Sequence, residues 1–140
     1  MDLSKFVAIS GKPGIFRVVS NRDNGLVVED LDTGKKRFVS GRIHQFTPLK
    51  TISIYTESDT EELEVVFDTI KAQLSENPPV ATKASNQDTK DWFRKILPDF
   101  DEDRVYVSDI RKIIKWFNFL DSKNLLESSS TEESDSQEEE

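Results

Sequence analysis

The chain contains no cysteine and a single histidine, His44, among its 140 residues. Disulfide bonds, thiolate metal sites and cysteine nucleophiles are therefore excluded, and zinc binding or Ser-His catalysis would have only one imidazole available. The sequence also lacks an apolar run long enough to span a membrane. We accordingly expect a soluble cytoplasmic protein without membrane contact, and the residues indicate neither a bound metal ion nor a cofactor.

Charged residues are abundant, but their signs are unevenly distributed. Residues 1–56 contain nine Lys and Arg against five Asp and Glu, whereas residues 125–140 contain seven acidic residues and no basic one. The net charge of −8 therefore does not describe the first part of the chain. After Leu126 the sequence has no apolar residue to bury, so residues 125–140 are interpreted as a disordered acidic tail.

Residues 1–75 predict a small β-rich domain. Strands are expected at Phe6–Ile9, Ile15–Asn21, Leu26–Leu31, Lys36–Ser40 and near Ile52–Tyr55. Asn24-Gly25 predicts a hairpin, because this pair accepts the positive φ angles of a type I′ turn. The number and spacing of the strands favour a small SH3-like β-barrel or a meander, which is an analogy at the level of the fold only.

A helix that covers the sheet is predicted from Ser58 to Leu74. The apolar spacing changes there from two residues to about 3.6, which is the period of an α-helix. Ser58 with Glu61 fits a capping box. The predicted apolar stripe contains Leu63, Val66, Phe67, Ile70 and Leu74.

Residues 76–87 are interpreted as a linker because two prolines are followed by no apolar periodicity. Residues 88–124 then predict a small helical-pair domain. Its first helix carries Trp92 and Phe93 and ends before Pro98, since proline disfavours helical backbone at the preceding residue. Its second helix, with Ser108 as the candidate N-cap, extends to Leu120. The fold class is therefore α+β.

Between these helices, Asp99, Asp101 and Asp103 alternate as in the first half of an EF-hand loop. Arg104 and Ile110 occupy the positions where that loop requires glycine and a bidentate glutamate. These carboxylates are therefore interpreted as charge partners of Arg104 or of a neighbouring lysine.

The second helix has an unusual polar side. Its apolar stripe contains Ile110, Ile113, Ile114, Phe117 and Leu120. On the opposite side Phe119 projects between Lys112 and Lys115, with Trp116 at the edge of the stripe. A helix needed only for the core does not require an aromatic among cations. Lys112, Lys115, Trp116 and Phe119 are therefore the candidate partner-binding residues.

A second candidate surface lies in the β-rich domain. Basic residues alternate with phenylalanines there, as in proteins that bind single-stranded nucleic acid through phosphates and stacked bases. The candidate residues are Lys12, Arg17, Lys35, Lys36, Arg37 and Arg42. The competing interpretation is that Phe16 and Phe38 belong to the core and that the lysines keep sheet edges soluble.

Two runs of the sequence resemble a known family. MDLSKFVAISGKPGIFRVVS and PDFDEDRVYVSDIRKIIKWFNFL are similar to a family of short, uncharacterised Bacteroidetes proteins made of two successive domains of unknown function. The family pattern D-x-D-R-V-Y-x-S-D-I-[KR]-K-I-I-x-W appears here from Asp101 to Trp116. The resemblance implies a bacterial protein, and it supplies no activity, cofactor or catalytic residue.

The sequence thus favours a non-enzymatic binding or adaptor module with a protein partner and an undetermined oligomeric state. The alternative is a nucleic-acid-binding or ribosome-associated protein that uses the basic β-rich domain. A hydrolase with paired carboxylates ranks last, because the acidic residues are too numerous for any pair to be singled out.

Overall fold

The computed structural model describes residues 2–12, 14–81 and 83–126. Their architecture is mixed α+β, as expected, and the chain divides into two compact units at Ile52/Ser53. The first unit contains β1 (Phe6–Ile9), β2 (Phe16–Arg22), β3 (Gly25–Asp30), β4 (Lys36–Ser40), β5 (Phe46–Pro48) and a short 3-10 helix, Leu49–Thr51. The second contains β6 (Ser53–Tyr55), β7 (Thr60–Glu62), α1 (Leu63–Ala72), α2 (Asn86–Ile96) and α3 (Val107–Ser122).

The first unit is an open antiparallel sheet with the strand order β4-β3-β2-β1-β5. Strands β1 to β4 form the meander that the sequence allowed, and β5, which was not predicted, returns to pair with β1. The closed barrel considered from the sequence is not formed, because β4 and β5 lie at opposite edges of the described sheet. Each of these two strands therefore has only one neighbour.

The core of this unit follows from the alternation of side chains along each strand. One face contributes a buried cluster of Val7, Ile9, Phe16, Val28 and Val39. The register pairs Val7 with Phe16, which places both side chains on the same face. A shift of register between Val18 and Ser20 leaves Val19 45% exposed. The predicted inward orientation of Phe16 is confirmed, since this residue is 7% exposed.

The two tight hairpins are shaped by different residues. At the first, Arg22 pairs with Gly25, so Asp23 and Asn24 form the two-residue loop. Neither of these loop residues has a positive φ angle. The predicted hairpin is therefore confirmed. The predicted type I′ turn at Asn24-Gly25 is wrong, because Gly25 already belongs to β3. At the second hairpin Gly34 has a φ of 77°, the left-handed region that glycine adopts without strain.

The second unit begins with a hairpin where the sequence predicted a strand and a helix. Ser53–Tyr55 pairs with Thr60–Glu62, so the expected strand near Ile54 belongs to a separate two-stranded sheet. This pairing holds Thr60–Glu62 in an extended conformation and delays the start of α1 until Leu63. The predicted capping box at Ser58 is therefore wrong, and the N-cap Glu62 forms no side-chain capping bond.

Helix α1 packs with the two later helices. The rings of Phe67 and Phe117 meet edge to face at 5.6 Å between centroids. Lys71 Nζ lies 2.6 Å from the Asp121 carboxylate, which joins α1 to α3 at the surface. These contacts explain why the compact units divide at Ile52/Ser53, whereas the sequence analysis expected a first domain of residues 1–75.

Residues 76–87, expected to be a linker, connect α1 to α2 within the second unit. Trp92 Nε1 donates a hydrogen bond of 3.1 Å to the Asn77 carbonyl, and Arg111 Nη2 donates one of 2.9 Å to the Ala84 carbonyl. The helical-pair domain expected at 88–124 is thus part of a three-helix unit. Leu126 is buried at 2% exposure, and the rest of the predicted acidic tail, from residue 127, lies outside the described residues.

Candidate interaction surfaces

Helix α3 is positioned at its start by an acidic residue. The N-cap is Tyr106 and not the predicted Ser108. The Asp109 carboxylate accepts a 3.0 Å hydrogen bond from the Tyr106 backbone N–H, and the Asp109 N–H donates to the Tyr106 carbonyl at 2.9 Å. A carboxylate in the first turn also complements the positive end of the helix dipole. The helix therefore has a defined start and a defined rotation about its axis.

The inward side of α3 is the stripe that the sequence predicted. Its five apolar residues are all buried: Ile110, Ile113, Ile114, Phe117 and Leu120. Burial of a stripe with helical spacing determines which side of the helix remains at the surface.

The opposite side contains the candidate partner-binding residues. Trp116 and Phe119 are half-buried, whereas Lys112 and Lys115 are exposed. Lys112 Nζ lies 5.9 Å from the centroid of the Trp116 ring. Lys123 Nζ lies 5.0 Å from the centroid of the Phe119 ring. We call this set, Lys112, Lys115, Trp116, Phe119 and Lys123, the α3 aromatic face.

Lys123 is the member of this face that the sequence analysis missed. It follows Phe119 by four residues, which is the spacing of neighbours on a helix surface. The predicted helix ended at Leu120, so Lys123 was assigned to the chain beyond it. The structure therefore places a lysine beside each aromatic ring, Lys112 beside Trp116 and Lys123 beside Phe119.

The six candidate nucleic-acid-binding residues are spread over the first unit. Arg17 and Lys36 flank Glu29 across neighbouring strands, and Arg17 Nη1 lies 3.7 Å from the Glu29 carboxylate. Arg37 points to the opposite face of the sheet, because side chains alternate along β4. Lys12, Lys35 and Arg42 lie in the turns and loops that join the strands. The structure therefore brings these residues to no single continuous surface.

Phe38 is not a core residue, in contrast to the competing interpretation of the sequence. It is 47% exposed on β4, directly opposite Val27. His44 has a structural contact instead of a free imidazole, since its Nδ1 donates to the Ser10 carbonyl at 2.9 Å. The sheet thus presents an exposed aromatic next to Lys36, on the face opposite the buried cluster.

A shallow groove of about 520 Å³ lies beside the first hairpin. It is lined by the loop residues Asp23 and Asn24, by Arg22 and Arg42, and by the ring of Phe46. Asp23 is its one carboxylate, so the groove does not contain the converging acidic pair that glycoside-type hydrolysis uses.

The loop between α2 and α3 is organised by Asp101. Its carboxylate accepts hydrogen bonds of 2.9 Å from Arg104 Nε and from the Asp103 backbone N–H. These bonds hold the pKa of Asp101 below its ordinary value. The Arg104 guanidinium also lies over the Tyr55 ring at 4.3 Å. The predicted pairing of this acidic run with Arg104 is therefore confirmed for Asp101.

No cluster of three or more His, Cys, Asp and Glu side chains within 2–12, 14–81 and 83–126 is arranged to hold a metal ion. Among the helices in those ranges, none combines the length and the apolarity that crossing a membrane demands.

Two family models match the chain in succession. Residues 3–49 match a domain of unknown function, DUF5606, and residues 52–120 match a second domain of unknown function, DUF6852. The boundary between the two matches coincides with the division between the compact units at Ile52/Ser53. The chain belongs to the family in which these two domains follow each other, and the predicted resemblance is confirmed.

A solved structure has the same fold. It is the solution NMR structure of a structural-genomics target from Bacteroides vulgatus, with 32% sequence identity, a TM-score of 0.68 and coverage of 90% of each chain. No curated protein matches the chain significantly. The comparisons thus support a family of uncharacterised Bacteroidetes proteins.

Proposed function

We propose that this chain is a non-enzymatic binding or adaptor module that engages a protein partner through the α3 aromatic face. The observation that carries the proposal is the grouping of lysines and aromatic rings along one side of α3, from Lys112 to Lys123, with a lysine near each ring. The inner stripe of the same helix already provides its packing, so the aromatics at the surface are additional to what the fold requires.

The chemistry of this face supports protein recognition. Large aromatic side chains, Trp above all, contribute much of the binding free energy at many protein interfaces. Lysines at 5.9 Å from Trp116 and 5.0 Å from Phe119 are held near the rings by cation–π attraction. A partner with an apolar anchor and flanking carboxylates would contact the rings and the ammonium groups together.

The experiment is an affinity capture in which the full chain is compared with the double substitution Trp116→Ala and Phe119→Ala. The bait is incubated with native bacterial lysate in parallel samples with and without nuclease. We expect the wild-type chain to retain one or more proteins after nuclease treatment, and we expect the double variant to lose them.

Tyr106→Ala is the matched control. Tyr106 is 63% exposed and lies at the start of the same helix, outside the α3 aromatic face. Its removal deletes an exposed aromatic of similar size and should leave the captured proteins unchanged. The proposal is contradicted if the double variant, shown to be folded by its amide NMR spectrum, captures the same proteins as the wild type.

The alternative function is nucleic-acid or ribosome association through the basic first unit. It is supported by residues 33–56, which contain five basic and no acidic side chains. The strand order, with β5 beside β1, is compatible with the SH3-like fold that we also propose for this unit. A salt series with short single-stranded RNA tests this alternative, since phosphate contacts make affinity fall with salt. A flat response or the absence of binding at low salt would remove it.

A further inference from the structure

The outer edge of β4 has a hydrogen-bonding pattern that can be worked out from the bonds at its two ends. Before β4, the Asp30 N–H donates to the Lys35 carbonyl at 2.8 Å. After β4, the Gly41 N–H donates to the Asn24 carbonyl at 2.8 Å. In an antiparallel pair, hydrogen-bonded and non-hydrogen-bonded residues alternate. Between these ends, Arg37 and Val39 therefore bond to β3.

The intervening residues direct their backbone groups away from β3. They are Lys36, Phe38 and Ser40, which face Glu29, Val27 and Gly25 across the ladder. The Ser40 carbonyl confirms this direction, because it accepts a 3.1 Å hydrogen bond from the His44 N–H of the following loop. Within the described part of the chain, no backbone hydrogen bond joins Lys36 or Phe38 to a residue beyond this edge.

The side chains along this edge have a consistent charge. Lys36 and Arg37 are both exposed and project from opposite faces of the strand. Lys35 precedes them, and the acidic residues nearest in sequence lie before Thr33 or after Thr56. Phe38 adds an apolar surface that is 47% exposed beside Lys36. The edge therefore combines strand hydrogen-bonding groups that have no backbone partner among the described residues, positive charge on both faces and one aromatic ring.

We propose that the β4 edge is a docking site for an extended acidic peptide, which adds to the sheet as a further strand. Main-chain hydrogen bonds to Lys36 and Phe38 would provide the pairing, as in other cases of strand addition. Carboxylates on alternate faces of the added strand would meet Lys36 and Arg37. An apolar side chain of the peptide would lie against Phe38.

The distribution of charge favours this occupant over two others. A second copy of the chain, paired antiparallel along the whole of β4, would place Lys36 opposite Ser40 and Phe38 opposite Phe38, and it would bring no carboxylate to Lys36 or Arg37. A nucleic-acid strand needs its cations along one track, whereas Lys36 and Arg37 lie on opposite faces. A peptide strand also projects its side chains to both faces. The site is separate from the α3 aromatic face, so the failure of either proposal leaves the other standing.

The test uses the full chain, labelled with nitrogen-15, and a synthetic peptide that repeats Glu-Glu-Val-Val, which places both Glu and Val on each face of an extended strand. We expect hydrogen exchange of the Lys36 and Phe38 amides to slow by about tenfold when the peptide is in excess, since the bound fraction protects them. The Val39 amide already bonds to β3 and should change little. Unchanged exchange at Lys36 and Phe38 would overturn the proposal.

A second peptide separates strand pairing from simple charge attraction. It has the same length and the same glutamates, but proline replaces alternate valines and removes backbone donors. We expect its affinity to be lower by about tenfold or more, which corresponds to the loss of one or two hydrogen bonds. Equal affinity for both peptides, or tighter binding of a single-stranded oligonucleotide at the same amides, would overturn the proposal.

Matched charge reversals locate the site. Lys36→Glu should lower the affinity for the Glu-Glu-Val-Val peptide by about tenfold, because an attraction becomes a repulsion at close range. Lys5→Glu makes the same change of charge at an exposed position before β1 and should have little effect. Equal weakening by both variants would show that net charge alone controls binding and would contradict docking at the β4 edge.

Discussion

Phe38 in the sheet unit and Phe119 in the helical unit are both partly exposed aromatics beside lysines, but they lie on elements with different chemistry. An α-helix satisfies its backbone groups internally, so α3 can recognise a partner only through side chains. An edge strand presents backbone groups in addition to its side chains. The comparison indicates that the α3 aromatic face would select a partner by shape and that the β4 edge would accept many acidic strands.

This difference determines which substitutions are informative at each surface. Removing the rings of Trp116 and Phe119 would delete the proposed recognition elements of α3, whereas removing the Phe38 ring would leave the backbone groups of β4 in place. The β4 edge is better tested through the donors of its peptide ligand or through the geometry of the hairpin. Three substitutions extend the comparison to the interior that supports each surface.

The largest effect is expected when the inner side of α3 is truncated. Phe117 is 1% exposed and packs edge to face on Phe67, so Phe117→Ala leaves a cavity in the helical unit. We expect a loss of about 3 to 5 kcal/mol in the free energy of unfolding. Urea unfolding followed by tryptophan fluorescence measures it, because both tryptophans, Trp92 and Trp116, lie in this unit.

Val65→Ala is the control for that experiment. Val65 belongs to α1 but is 42% exposed, so its truncation should change the stability by about 0.5 kcal/mol or less. If Phe117→Ala lowered the free energy of unfolding no more than Val65→Ala does, packing of the inner stripe would not be what stabilises α3. The distinction between a buried inner face and an exposed outer face of this helix would then be wrong.

A smaller loss of stability is expected from Gly25→Ala, which adds a methyl group next to β4. A Cβ atom on Gly25 would collide with the Val39 carbonyl oxygen and would meet the Phe38 ring at 2.9 Å. Gly25→Ala should therefore cost about 1 to 3 kcal/mol through overpacking. Loss of amide protection in β3 and β4 during urea unfolding measures this cost.

Gly41→Ala is the matched control in the same hairpin. Its Cβ would come no nearer than 3.6 Å to the Asn24 carbonyl or the Phe46 ring, which is ordinary contact. We expect a change of about 0.5 kcal/mol or less. Equal losses of stability for Gly25→Ala and Gly41→Ala would show that β4 can move away from β3 to accommodate the methyl group. The close β3–β4 pairing on which the proposed β4 edge depends would then lose its support.

The sequence predicted those elements that are determined by residues close together in the chain. The strands Phe6–Ile9 and Lys36–Ser40 have the predicted bounds, because alternation and flanking turns define them. The inner stripe of α3 was also predicted, since its period involves residues of one helix. For the same reason, the sequence alone assigned Phe119 to the outer side and Trp116 to the edge of the stripe.

The features that the sequence did not predict depend on pairing between distant segments. Ser58 has the residue type and spacing of a helix cap, but Thr60–Glu62 pairs with Ser53–Tyr55 and remains extended. Two prolines predicted a linker at 76–87, and no local pattern indicated that Trp92 and Arg111 hydrogen-bond to its carbonyls. The edge position of β4 is likewise a property of the strand order, which no local pattern specifies.

The smallest effect on stability is expected at Asp101, which lies in the loop before α3. Hydrogen bonds from Arg104 and from the Asp103 N–H lower its pKa in the folded state. A lowered folded pKa means that the ionised carboxylate stabilises the fold above the ordinary Asp pKa of about 3.9, and that this stabilisation is lost as pH falls through the folded pKa. Asp101→Asn should therefore reduce stability at neutral pH and flatten the fall in stability on acidification. Urea unfolding at neutral and acidic pH measures both. An unchanged pH profile in Asp101→Asn would show that other carboxylates, such as Asp2 with its lowered pKa in the sheet unit, dominate the acid response.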